Sequence, residues 1–227
     1  SQDGLLYNIT LKENLKWHDG EQVTTDDVLF TIDLMQNGDG FISDDLIQLW
    51  KSVEIIKLDD YTLQMKLSEA YVPFQDYLTF GLLPEHLLQG STIAEIADSS
   101  FNLKPVGSGP YVFDSFTIEN SVITGVTLRA NKDYLPAEPF IQEIHFRYYA
   151  DAESALQAYS DGYVQGISQI PSHLINQALS LPGLNIYSGR LPQIGLVLFN
   201  LNDPEVPYLQ DKSIREALLL GINRNWR

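Results

Sequence analysis

The sequence contains no cysteine, which excludes structural disulfides, thiolate metal ligands and a cysteine nucleophile. It also lacks any run of about 18 apolar residues, so no segment reads as a membrane-spanning helix. Basic residues are scarce: 14 Lys and Arg stand against 30 Asp and Glu, for a formal net charge of −16. A field of that sign repels phosphate backbones and no Lys/Arg cluster offsets it, so no nucleic-acid partner is expected. The acidic residues are spread along the chain and read as a solubilising surface. Internal repeats and low-complexity tracts are absent too. Ser1-Gln2-Asp3-Gly4 shows neither the basic nor the apolar region of an export signal. The expectation is that such a signal has been removed or was never included.

What is present is globular in character, with 44% apolar and 19% charged residues in 227. A chain of this length suits one domain or two and buries roughly 70% of its unfolded surface, so it needs no covalent staples. Leu5 to Leu11 alternates as a strand, and Lys16-Trp17-His18-Asp19-Gly20 makes a turn. Thr24-Thr25-Asp26-Asp27 reads as a capping box opening a helix with Val28, Leu29, Ile32 and Met35 on one face. Ser43 to Trp50 predicts a second helix. Val53 to Leu58 and Tyr61 to Leu67 predict a hairpin turning at Asp59-Asp60, with Tyr61, Leu63, Met65 and Leu67 on its buried face. Pro73 and Pro84 each suit a helix start, and Thr92 to Ala97 suits another short helix.

Further along, strands are predicted at Tyr111 to Phe116, Val122 to Ala130 and around Ile144, Phe146 and Tyr148. Asp151 caps a helix facing inward with Ala152, Ala155, Leu156 and Tyr159. Short strands are expected at Val164 to Ile167, Leu184 to Tyr187 and Gln193 to Asn200. Helices are expected after Pro171 and after Asp211. The first strand starts almost at residue 1 and the last apolar helix runs nearly to Arg227. Both ends are therefore expected to be cut from something longer.

A run of motifs gives these segments a family likeness. Leu11-Lys12-Glu13-Asn14-Leu15-Lys16-Trp17-His18-Asp19-Gly20, with Thr25-Asp26-Asp27-Val28, is followed by Leu83-Pro84-Glu85-His86-Leu87. Then come Val106-Gly107-Ser108-Gly109-Pro110-Tyr111, Leu128-Arg129-Ala130-Asn131-Lys132-Asp133-Tyr134, and Phe199-Asn200 through Ile214-Arg215-Glu216-Ala217-Leu218. In this order they resemble the family 5 extracellular solute-binding proteins, which carry oligopeptides, dipeptides or nickel complexes for ABC importers. Departures lie at Ala130, at Asp161-Gly162-Tyr163-Val164-Gln165-Gly166 and at Gly221-Ile222-Asn223-Arg224, and bear on subfamily.

The resemblance implies a mixed α/β (α+β) fold, the first lobe of a type II periplasmic-binding-protein-like architecture with an extra subdomain. Residues 1–90 would form that subdomain and 91–200 the main sheet up to a first hinge strand, Gln193 to Asn200. Residues 201–227 would begin a second lobe whose remainder is absent. It also implies a periplasmic or cell-surface carrier, monomeric and without cofactor, that closes on a small or peptide ligand and delivers it to ABC permease subunits.

The candidate contact residues are Tyr71, Phe80, Gly107, Ser108, Gln193 and Asn200. Tyr71, Phe74, Tyr77 and Phe80 read either as a ligand wall or as ordinary packing. Gly107 and Gly109 around Ser108 allow close backbone approach to a ligand or simply a tight strand entry, and no Lys-Ser/Thr follows to make a phosphate loop. Asn200 and Gln193 sit at opposite ends of the expected hinge strand. His18-Asp19 reads as a structural turn, and His86 as facing solvent or capping its helix. His145 and His173 have no partner at metal-ligand spacing. No nucleophile elbow or His-Glu-x-x-His stands out. No catalytic or metal-ligating residue is therefore assigned, although a carboxylate-pair hydrolase and a stand-alone interaction module remain open readings.

Overall fold

Residues 4–38, 40–189 and 196–222 are described in the computed structural model of the protein. Strand β1 (Leu6–Thr10) is followed by helices α1 (Thr25–Gln36) and α2 (Asp44–Lys51), then by β2 (Glu54–Lys57) and β3 (Thr62–Lys66). The strands pair antiparallel in the order β1-β3-β2. β3 takes the centre, and its alternate residues Leu63 and Met65 are 0% and 1% exposed. Val28, Ile32 and Met35 of α1, Trp50 of α2 and Phe74 close over them to make the main core. Phe74 arrives on a 3-10 segment, Val72–Leu78, where an α-helix was the alternative at Pro73.

The capping box expected at Thr24 is formed, and a second, not anticipated, opens the short helix at Thr92. Thr24 caps α1, with Asp27 reaching back to its backbone, and Thr92 caps α4 (Ile93–Ala97) with Glu95. The short α3 (Glu85–Leu88) precedes α4, and Leu34, Leu88 and Ile96 form a second, smaller apolar cluster.

Strands β4 (Tyr111–Glu119), β5 (Val122–Ala130) and β6 (Glu143–Arg147) form a second antiparallel sheet in that order. Asn120 and Ser121 turn the β4–β5 hairpin with positive φ at both positions, 50° and 63°, the hand that matches strand twist. Register shifts fall between Phe113 and Ser115 and between Thr117 and Ile118. Helix α5 (Ala152–Ser160) starts on Asp151, whose carboxylate accepts from Ser154 N–H at 2.7 Å, and buries Leu156 and Ala158.

The chain divides into two compact units, Ser1–Ile170 and Pro171–Arg227. The smaller holds a 3-10 turn, Ser172–Leu174, running into α6 (Ile175–Leu179), and α7 (Lys212–Gly221) capped by Asp211. The Arg215 guanidinium donates to the carbonyls of Leu209 and Gln210, at 2.7 and 2.9 Å.

Three strand expectations fail. Val164–Ile167 and Leu184–Tyr187 are irregular, as are residues 196–200 of the expected hinge strand; Gln193 lies outside the described residues. Apolar spacing nominates a strand, but a strand exists only where a neighbour takes up its N–H and C=O groups. Among the described residues no neighbour pairs with these segments.

Gly125 sits at the middle of β5, where an added Cβ would stand 2.5 Å from the Phe146 carbonyl oxygen of β6. Backbone rather than a flexible side chain would have to yield. Gly125→Ala is expected to destabilise the fold by about 1–3 kcal/mol, read as a lowered urea midpoint with an unchanged denaturant slope.

Candidate functional site

The buried carboxylate of Asp27, 3% exposed, gathers several of the sequence motifs. Its Oδ2 accepts from Trp17 Nε1 at 3.2 Å and from Thr24 N–H at 2.8 Å. Its Oδ1 accepts from Glu85 N–H at 2.9 Å, at the start of α3. One side chain thus ties the Trp17 turn, the N-terminus of α1 and the Pro84-Glu85-His86 segment together. One turn along, the Thr31 hydroxyl donates to the Asp27 carbonyl at 2.7 Å and accepts from Leu83 N–H at 2.9 Å. Reading Asp27 only as half of a capping box misses this wider role, because the other donors come from distant sequence.

His86 does not simply face solvent or cap its helix. Its Nε2 lies 2.8 Å from Asp19 Oδ2, and its ring lies 6.4 Å from that of Trp17. Burial alone would push the Asp19 carboxyl up. The His86 hydrogen bond, the Glu21 N–H and the His86 charge outweigh it and hold the carboxyl below its ordinary value.

His18 makes a second tie. Its N–H donates to Gly107 O at 2.8 Å, its Nδ1 accepts from Gly107 N–H at 3.2 Å, and its Nε2 lies 3.1 Å from Gly109 O. An acceptor at Nδ1 and a carbonyl facing Nε2 are both satisfied by the tautomer with its proton on Nε2. Asn131 Nδ2 also donates to Gly109 O, at 3.1 Å. The Gly107-Ser108-Gly109 loop is therefore held from both sides, with the Gly107 N–H and the Gly107 and Gly109 carbonyls serving this clasp.

Beside the loop lies a recess of about 320 Å³ lined by His18, Gly107, Tyr111, Phe113, Phe116 and Leu128 among others. A second, of about 450 Å³, opens at the far end of the same sheet, where Thr117, Glu119, Arg147, Tyr148, Tyr149 and Tyr163 contribute to its wall. Sequence reasoning missed this second recess. The signal was there, since His145, Arg147 and Tyr149 alternate on β6 and just beyond it, but alternation alone reads as the wet face of a strand.

The predicted contact residues are dispersed. Gly107 and Ser108 sit half-buried in the clasped loop. Phe80 packs edge-on to Trp50, ring centres 5.3 Å apart, and joins the main core, as does fully buried Phe74, which favours packing over a ligand wall for both. Tyr71 and Tyr77 remain at the surface with hydroxyls 3.5 Å apart, and that hydrogen bond raises the Tyr71 phenol above its ordinary range. Asn200 belongs to the smaller unit, where its Oδ1 accepts from Asn202 N–H in a local turn. Among the described residues no group of three or more His, Cys, Asp or Glu gathers as a metal site would require.

Set against known proteins, the profile of the bacterial extracellular solute-binding proteins, family 5 middle, matches residues 1–226. A Brucella ovis protein named as an ABC transporter peptide-binding protein is 32% identical over 99% of this chain and 41% of its own length. The oligopeptide-binding protein AppA of Bacillus subtilis is 28% identical over 97% of this chain and 40% of its own length. Its structure in complex with a nonapeptide superposes with a TM-score of 0.67 at 26% identity, over 79% of this chain and 35% of that one. NikZ from Campylobacter jejuni, in complex with Ni(L-His), superposes over 98% of this chain and 43% of that one. Its TM-score is 0.70, and at 24% identity it speaks to the fold alone. The chain spans about two fifths of the length of these curated relatives.

Removing the hub leaves three donors without their partner, so Asp27→Ala is expected to cost about 3 kcal/mol or more in urea unfolding. Asp27→Asn, which keeps one acceptor oxygen, should recover part of that loss. A depressed carboxyl contributes stability above its ordinary value of 3.8 that disappears as pH falls through and below it. The stability gap between the unaltered chain and Asp19→Asn should therefore be widest near pH 6 and shrink below about pH 4. Asp19→Asn keeps an acceptor for Glu21 N–H, so a gap that stays constant with pH would mean the His86 pairing contributes nothing.

Proposed function

The chain belongs to the bacterial extracellular solute-binding proteins of family 5, its mixed α/β fold is that of a lobe of the type II periplasmic-binding-protein architecture, and from that premise we propose that it serves an ABC importer as the component that captures a peptide and passes it on unchanged. The observation that carries the proposal is the match over residues 1–226, joined to peptide-binding names on relatives 32% and 28% identical. The family is one of solute binders rather than enzymes, and its members work outside the cytoplasm with membrane permeases. This chain is read as doing the same. No described helix is long and apolar enough to cross a membrane.

Within that reading, residues 1–90 supply the extra subdomain, 91–200 the main sheet of the first lobe and 201–227 the start of a second lobe. The separation of the two sheets supports the first boundary, since β1, β2 and β3 end at Lys66 and β4 begins at Tyr111. Capture needs a rigid wall and a few fixed polar groups. The clasped Gly107-Ser108-Gly109 loop beside its recess supplies a wall of that kind. The exposed Tyr71 of the same unit offers an aromatic surface, and Asn200 and Gln193 are proposed separately as amide contacts contributed by the smaller unit.

The reading is tested with a defined mixture of di- to nonapeptides incubated with the chain, separated from unbound peptide and released by mild acid. Mass spectrometry is expected to recover a subset of the input masses, unaltered. Recovery of truncated peptides would replace the carrier with a hydrolase, and retention of no peptide would remove peptide as the cargo.

A further inference from the structure

We propose that Tyr71 and Tyr77 form an oxidative modification site, at which a peroxide acting through a haem peroxidase couples the two rings into an intramolecular dityrosine bridge. The inference stands apart from the carrier reading and concerns the larger compact unit alone.

The chain has no cysteine, so a disulfide is not open to it, while its 12 tyrosines are side chains that oxidation can join. Tyr71 and Tyr77 are placed for that chemistry. The Tyr71 hydroxyl donates to the Tyr77 hydroxyl at 3.5 Å, and the ring centres are 5.9 Å apart with their planes inclined at 35°. Oxygens closer than ring centres mean that the rings converge at their hydroxyl ends. The carbons that couple are the ones beside those hydroxyls. Each residue is 37% exposed, so solvent reaches both.

The convergence is held by the turn between them. Tyr71 O accepts from Phe74 N–H at 3.0 Å where the 3-10 segment Val72–Leu78 begins. Phe74 is fully buried, its ring centre 5.0 Å from that of Tyr7 and 6.0 Å from that of Trp50. Leu78 packs on the same core, directly after Tyr77. Pro73 fixes its own φ. Anchoring the backbone between two reacting groups turns a collision into a one-body step. Among the described residues no other two tyrosine rings are in contact. Tyr148 and Tyr149 are neighbours in sequence, but they continue from β6, and an extended chain sends successive side chains to opposite sides.

The step balances as follows. Each phenol gives up one electron and its hydroxyl proton, leaving a radical shared between the oxygen and the adjacent ring carbons. The two radicals form one carbon–carbon bond between those carbons. The hydrogen on each joined carbon then moves to its oxygen, and both rings become phenols again. The peroxide takes up the two electrons and two protons and becomes two waters. The product is a covalent bridge that closes the exposed turn around buried Phe74.

The test treats the dilute chain with a haem peroxidase and equimolar hydrogen peroxide, isolates the monomer, and reads dityrosine fluorescence. The monomer is then digested with a protease that cuts before aspartate. Asp76 lies between the two tyrosines, so the untreated chain yields fragments 60–75 and 76–97 separately. After oxidation these two are expected as one species, lighter than their sum by two hydrogen atoms. Tyr71→Phe and Tyr77→Phe keep each ring and remove one phenol. Either should lower the monomer's dityrosine signal about tenfold or more, because the remaining tyrosines lack a held partner. Fluorescence confined to oligomers, absence of the joined fragments, or an undiminished signal in either variant would each overturn the site. The fragment masses come from the unaltered chain, so they decide the matter even where a variant fails to fold.

Discussion

The Trp17 turn, the start of α1 and the start of α3 all hang from the carboxylate of Asp27. A buried anion is costly unless donors surround it, and here an indole N–H and two backbone N–H groups do so from three distant stretches of chain. Because those donors come from the Trp17 turn, the cap of α1 and the start of α3, satisfying one charge also fixes how those pieces sit against the first sheet. Thr31 adds a second bolt one turn along α1. The same turn then reaches onward through His18, whose ring grips the Gly107-Ser108-Gly109 loop leading into the second sheet. The signature motifs of the chain are thus mostly clamps on one another.

That has a consequence for function in a binding protein of this family. Residues that make a motif recognisable need not be the ones that touch cargo. His18, Asp19, Asp27, His86 and Asn131 spend their polar atoms on the scaffold. The larger recess at the end of the second sheet is lined by other residues, Arg147, Glu119 and the tyrosines around them among them.

The legible part of the fold was the part governed by local chemistry. The caps at Thr24 and Asp151 are short-range hydrogen bonds between residues two or three apart. The alternation of Leu63, Met65 and Leu67 shows one buried face without knowledge of what covers it. Where the reading failed, at Val164–Ile167, Leu184–Tyr187 and residues 196–200, a strand would have needed a partner that no local pattern reports. The aromatic run from Tyr71 to Phe80 failed for a related reason. Its spacing does not reveal that Phe74 and Phe80 turn onto Trp50 while Tyr71 and Tyr77 turn outward.

Motif order, capping groups and apolar period are all written along the chain, and they were enough to reach the family, the starts of the helices capped by Thr24 and Asp151, and the faces that must be buried. Packing was needed to show that Asp27 gathers its donors from three motifs, that His86 turns to Asp19, and that Phe74 and Phe80 turn onto Trp50. The physical reason is that a hydrogen bond or an ion pair depends on distance in space, and the residues concerned are brought within reach only when the sheets and helices have packed.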